Sequence, residues 1–102
     1  MKFISVTNNY PIWHVRFGLT DGFGKDVIWE YIEAFPNADE LSTRTRASFD
    51  LMELRDPITG FLWKGKDVPR VIGDIFVSHK IPWTFPEFRD QARLWYSHQV
   101  GV

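Results

Sequence analysis

The chain's 102 residues are one domain's worth, so residues 1–102 are read as a single globular domain. Twelve basic against thirteen acidic side chains leave a formal charge of −1, which excludes a histone-like basic arm and a disordered acidic tail. The absence of cysteine excludes disulfides, a thiolate nucleophile and Cys-ligated zinc.

No apolar run approaches the roughly 18 residues that span a bilayer, and the N-terminal MKFISVTNNYPIWHVRF lacks a signal-peptide pattern. The expectation is a cytoplasmic protein without membrane contact. Aromatic residues make up 17% of the chain, enough to supply both a ring-filled core and exposed binding anchors.

In chain order, residues 2–7 and 12–19 are rich in β-branched and aromatic side chains. Around Asn8–Pro11 they predict a first hairpin. Asp26 then stands as an N-cap before VIWEYIEAF, where Ile28, Tyr31, Ile32 and Phe35 fall on one helical stripe that Pro36 terminates. Residues 38–48 read as helix or strand. RDPITG is turn chemistry between residues 47–55 and 60–64, a second hairpin in which Gly60 needs a positive φ.

The motif Gly24-Lys25-Asp26-Val27 recurs as Gly65-Lys66-Asp67-Val68. The segment that follows the second copy, 68–78, has Val68, Val71, Ile72, Ile75 and Phe76 on a helical stripe, with a β-strand as its alternative. The last element is the best specified. Thr84 and Glu87 form a capping box, Trp83 and Phe88 are placed as a hydrophobic staple, and Phe88, Ala92 and Trp95 follow as a stripe. The fold class expected is α+β: a small, mostly antiparallel sheet of two hairpins with two to three helices packed against it, in the order ββα-ββα-α.

The sequence shows no cofactor fingerprint, no metal-ligand spacing and no catalytic serine context. Asp21-Gly22-Phe23-Gly24-Lys25 reads as a strand-to-helix turn; as a P-loop it has the wrong spacing. The leading expectation is therefore a non-enzymatic protein-binding module, such as a small inhibitor, immunity protein or regulatory subunit, of the kind phages and mobile elements use.

Six carboxylates against Lys25 alone give residues 21–40 a charge of −5. Trp29 lies off the helical stripe beside Glu30 and Glu33. It is either an anchor for a partner with a basic surface or a ring buried beneath a second layer. Arg89 and Arg93, at i and i+4 beside Tyr96, form the second candidate protein-binding face.

Two other function classes remain. Arg44, Arg46, Lys64, Lys66, Arg89 and Arg93 compose a candidate nucleic-acid surface. In addition, RDPITGFLWKGKD resembles the sheet-plus-helix arm-binding domains of tyrosine recombinases over about a dozen positions. His79 and His98 resemble, in two residues, the histidines of ββα-metal nucleases, which implies a metal-dependent nuclease as a third reading.

Overall fold

A computed structural model describes residues 1–9, 12–34 and 52–99. Among these residues, five strands precede two helices: β1 (Lys2–Asn9), β2 (Ile12–Thr20), β3 (Asp26–Ala34), β4 (Met52–Arg55), β5 (Leu62–Lys64), α1 (Asp67–Ser78) and α2 (Phe85–Gln99). The strands form one antiparallel meander in the spatial order β1-β2-β3-β4-β5. The α+β class is as expected, but the element order is not. The segment expected as the first helix, after the first hairpin, is instead a third strand.

The difference is β3, expected as a helix and found as the central strand. Its residues pair with β2 from Ile12↔Ala34 to Thr20↔Asp26, and with β4 from Glu30↔Arg55 to Glu33↔Met52. As a strand, Val27, Trp29, Tyr31 and Glu33 point one way and Ile28, Glu30, Ile32 and Ala34 the other. With Asp26 on the Glu30 side, each face thus holds both apolar and acidic residues. Because neither face is purely apolar, the period-two signal is hidden and the helical spacing of Ile28, Tyr31 and Ile32 is a coincidence of a strand apolar on both sides.

Asp26 caps no helix. It lies on the sheet's outer face, where its carboxylate meets Lys2 Nζ at 3.3 Å and accepts from Thr20 Oγ1 at 3.3 Å. Asp21–Lys25 is accordingly a strand-to-strand loop, not a strand-to-helix turn.

The other local expectations hold where residues are described. β1 and β2 form the first hairpin, and β4 and β5 the second; residues 38–48 and 47–51 of the expected elements lie outside the described residues. In the 56–60 loop, Asp56 Oδ1 accepts from the Ile58 and Thr59 amides, and Gly60 has φ +77°. Segment 68–78 is helical, with Pro69 tolerated in the first turn of α1. Before α2, Thr84 N donates to Glu87 Oε1 at 3.1 Å and Glu87 N reaches back to Thr84 Oγ1 at 3.4 Å. That reciprocal pair is the capping box.

Both helices lie on the face bearing Val15, Phe17, Leu19, Tyr31 and Leu54, all of them buried. Phe88 of α2 is at the centre. Its ring centroid lies 4.9 Å from Phe17, 5.5 Å from Tyr31, 5.4 Å from Phe76 of α1 and 5.9 Å from Phe3. One side chain thus touches three strands and the other helix, and Trp83 reaches the same lattice through Phe3 and Phe76. Edge-to-face geometry adds to the area term because each ring offers a positive edge to a negative face. Phe88→Ala is expected to cost about 3–5 kcal/mol. Chemical denaturation checks this, and a loss below about 1 kcal/mol would show that the lattice closes over the gap.

Candidate protein-binding surface

Strand alternation divides the sequence-derived site residues among three places. Glu30 lies on the face opposite the helices, where its Oε2 is 3.0 Å from His14 Nε2. Trp29 and Glu33 share the helix-covered face, four residues apart along β3, and so lie toward opposite ends of it. The expected cluster of Trp29, Glu30 and Glu33 on one helical face therefore does not form.

Glu33 is instead brought to Arg89, Arg93 and Tyr96. It is 2% exposed, the one buried charge among the described residues. Its carboxylate receives Arg89 through two bonds, Nε to Oε1 at 3.0 Å and Nη2 to Oε2, while Tyr31 Oη donates to Oε1. A planar fork against a planar carboxylate is the geometry that compensates desolvation of both charges. Arg89 also lies 5.5 Å above the Phe85 ring, and Arg93 5.5 Å above Trp13, whose edge meets Tyr96 at 5.2 Å.

Burial and the adjacent Arg89 charge lower the Arg93 pKa. Burial, then the Glu33 charge, raises the Tyr31 phenol well above its ordinary value and keeps it a donor. The space enclosed by Trp13, Tyr31, Glu33, Arg89 and Arg93 is about 10 Å3, room for a single water at most. This cluster clamps α2 to the sheet and leaves no volume for a ligand.

The acidic segment dissolves in the same way. Asp21 holds a turn, Asp26 pairs with Lys2, Glu30 with His14 and Glu33 with Arg89. Asp39 and Glu40 lie outside the described residues, as do Arg44 and Arg46. Lys64 is on β5 and Lys66 precedes α1, away from the Arg89 clamp. His79 Nδ1 bonds the Ile75 carbonyl at 2.9 Å, and His98 lies in the last turn of α2. No three His, Asp or Glu side chains converge as a metal site among the described residues.

The surface that stands out is at the other end of the covered face. Leu19, Val27, Trp29 and Ile58 line a cleft of about 230 Å3, with Asp21 and His79 also in its wall. The β2–β3 and β4–β5 loops and the end of α1 supply these walls. Trp29 stacks on Trp63 at 6.4 Å, and Phe61 meets Trp63 edge-on at 4.9 Å, so the aromatic surface continues into a shallow groove beside the cleft.

Ile58 in its wall is 74% exposed, Phe61 in the neighbouring groove 57%, and Phe23, on the loop that follows Asp21, 97%. The 21–25 loop is not slack. Asp21 Oδ1 accepts the Phe23 amide at 2.8 Å and the Lys25 amide at 2.9 Å, with Gly24 at φ +78°. Those two amide bonds hold the Asp21 carboxyl below its ordinary value.

Sequence reasoning singled out Trp29 here and missed Phe23, Ile58, Leu19 and Val27. A phenylalanine inside a Gly-Phe-Gly turn was the available signal, because turn tips hold large apolar residues in water. No protein family matches the chain, and no curated protein or solved structure matches it either.

Two outcomes are expected at the clamp. Arg89→Met leaves the buried Glu33 unpaired and costs about 3 kcal/mol in chemical denaturation, against a smaller loss for Arg89→Met with Glu33→Leu, because the second change removes the orphaned charge. For Tyr31 the folded pKa is raised, so its contribution is complete below pH 10 and declines as pH rises beyond the unfolded phenol's pKa. Alkaline unfolding should therefore be shallower in Tyr31→Phe than in the wild type, and identical profiles would count against a buried neutral phenol.

Proposed function

We propose that the chain is a non-enzymatic protein-binding module whose contact surface is the Trp29 cleft and the two loop tips beside it. The observation that carries this reading is an apolar cleft with exposed Ile58 in its wall, together with exposed Phe61 in the neighbouring groove and exposed Phe23 on the loop that follows the cleft-lining Asp21. Large apolar side chains grouped in water around a concave apolar site are what a partner's side chains cover. The support is structural preorganisation. Asp21 and Asp56 pin the loops that carry Phe23 and Ile58, so a partner orders little on binding. An inhibitor, immunity protein or regulatory subunit would act through such a surface by occupying its target.

A photo-crosslinking phenylalanine analogue at position 23, expressed in the native host, is expected to yield discrete protein adducts. Thr7, exposed on the outer sheet face, is the control position. Adducts at position 23 should fall about tenfold on Ile58→Asp, as expected for loss of a hot-spot contact. Equal yields from positions 7 and 23 would refute the reading.

A further inference from the structure

The groove beside the cleft combines aromatic rings with a carboxylate that has no counter-ion among the described residues. One residue past β4, Asp56 closes the hairpin by donating its amide to the Phe61 carbonyl at 2.9 Å. It lines the groove together with Phe61 and Trp63. Its Oδ1 accepts the Ile58 and Thr59 amides at 2.8 and 3.2 Å, while Oδ2 has no hydrogen bond among the described residues. None of the ion pairs among those residues involves it. Arg55, the adjacent cation, belongs to the opposite face of the sheet. Leu54 is buried under the helices, so alternation turns Arg55 the other way, and its Nη1 donates to the Gly60 carbonyl at 3.1 Å.

The rings beside that carboxylate support one another. Trp29 stacks on Trp63 at 6.4 Å and 21°, and Phe61 meets Trp63 at 4.9 Å and 61°, which makes an angled aromatic wall. Ring faces carry negative charge density. The groove's volume, about 530 Å3, is that of a ligand site, roughly 300–1,000 Å3. An apolar occupant would cover Asp56 and leave its charge unpaired, which is costly. A cation avoids that cost and is attracted by the ring faces as well.

We propose that this groove receives an arginine side chain of a partner protein, with its guanidinium against Trp63 and Phe61 and an N–H donated to Asp56 Oδ2. This rests on the reading of the adjoining surface as protein-binding and names the chemistry of the partner. Arginine suits the groove better than lysine. A planar, weakly hydrated guanidinium stacks on a ring and donates from its edge at the same time, whereas an ammonium is a strongly hydrated point charge. Arginine is also among the residues most enriched at interface hot spots.

NMR titration of the full chain with Nα-acetyl-arginine methylamide is the test, read at the Trp63 indole N–H at constant ionic strength. A saturable shift is expected, with a dissociation constant on the order of 10 mM. The Trp13 indole, already against Arg93 at the far end of the covered face, should move little. The citrulline analogue has the same shape without the charge and should bind at least about tenfold more weakly. Asp56→Asn should weaken arginine binding equally. Its side-chain oxygen still accepts the Ile58 and Thr59 amides, so the turn survives and the charge alone is lost. Phe61→Leu, at an exposed position, should weaken binding about threefold.

Equal shifts from the arginine and citrulline analogues overturn the proposal, as does arginine binding by Asp56→Asn at wild-type strength. Tighter binding of the lysine analogue also overturns it. In the native host, adducts from the crosslinker at position 23 should fall about tenfold on Asp56→Asn. Adducts that persist unchanged overturn the arginine contact and preserve the protein-binding reading. Equal yields from positions 7 and 23 remove that reading and the partner with it, even where the arginine analogue binds.

Discussion

Phe88 is the contact on which the remaining packing depends. It is fully buried and lies against Phe3, Phe17, Tyr31, Phe76 and Phe85, which come from three strands and both helices. Among the described residues, α1 and α2 cover one face of the meander, and they meet it through that ring. A chain this short buries a limited share of its unfolded surface, and without disulfides its stability rests on how much area each core side chain removes from water. Rings maximise that area. The high aromatic content of the sequence has its first explanation in the lattice around Phe88.

The buried Glu33–Arg89 pair complements the lattice. Hydrophobic contacts are tolerant of small slips, because neighbouring rings exchange contacts at little cost. A bidentate guanidinium–carboxylate pair closed by a tyrosine hydroxyl tolerates none, and it lies next to Phe85 and Phe88 on the same helix. Its role is registration of α2 on β3.

With one end of the covered face closed by the clamp, the opposite end is left to the hairpin loops. α1 ends at Ser78, and His79 folds back onto the helix through its bond to the Ile75 carbonyl. Beyond it Leu19, Val27 and Trp29 of the sheet line the cleft together with Ile58. Helix length therefore sets the position of the cleft. The two Asp-clamped loops extend the sheet past the helices and hold their apolar tips in place, so that binding area and rigidity come from the same short segments.

Local chemistry was legible in the sequence by itself. The Thr84–Glu87 capping box, the positive φ of Gly60, the turn held by Asp56 and both hairpins depend on residues within a few positions of one another, and their energetics are complete at that range. Trp29 was singled out as lying off a helical stripe, but that stripe was not real: in β3 the ring lies on the covered face and packs against the core. What the tertiary structure alone decided is everything that needed a neighbour from elsewhere. The conformation of Asp26–Ala34 was set by β2 and β4, whose backbone groups satisfy it on both sides and override a helical spacing that was only apparent. Arg89 pairs with Glu33, 56 residues away, a partnership that no helical spacing encodes. The cleft joins Leu19, Val27 and Trp29 to Ile58 and His79, and no local pattern encodes a surface whose walls meet only after the sheet has formed.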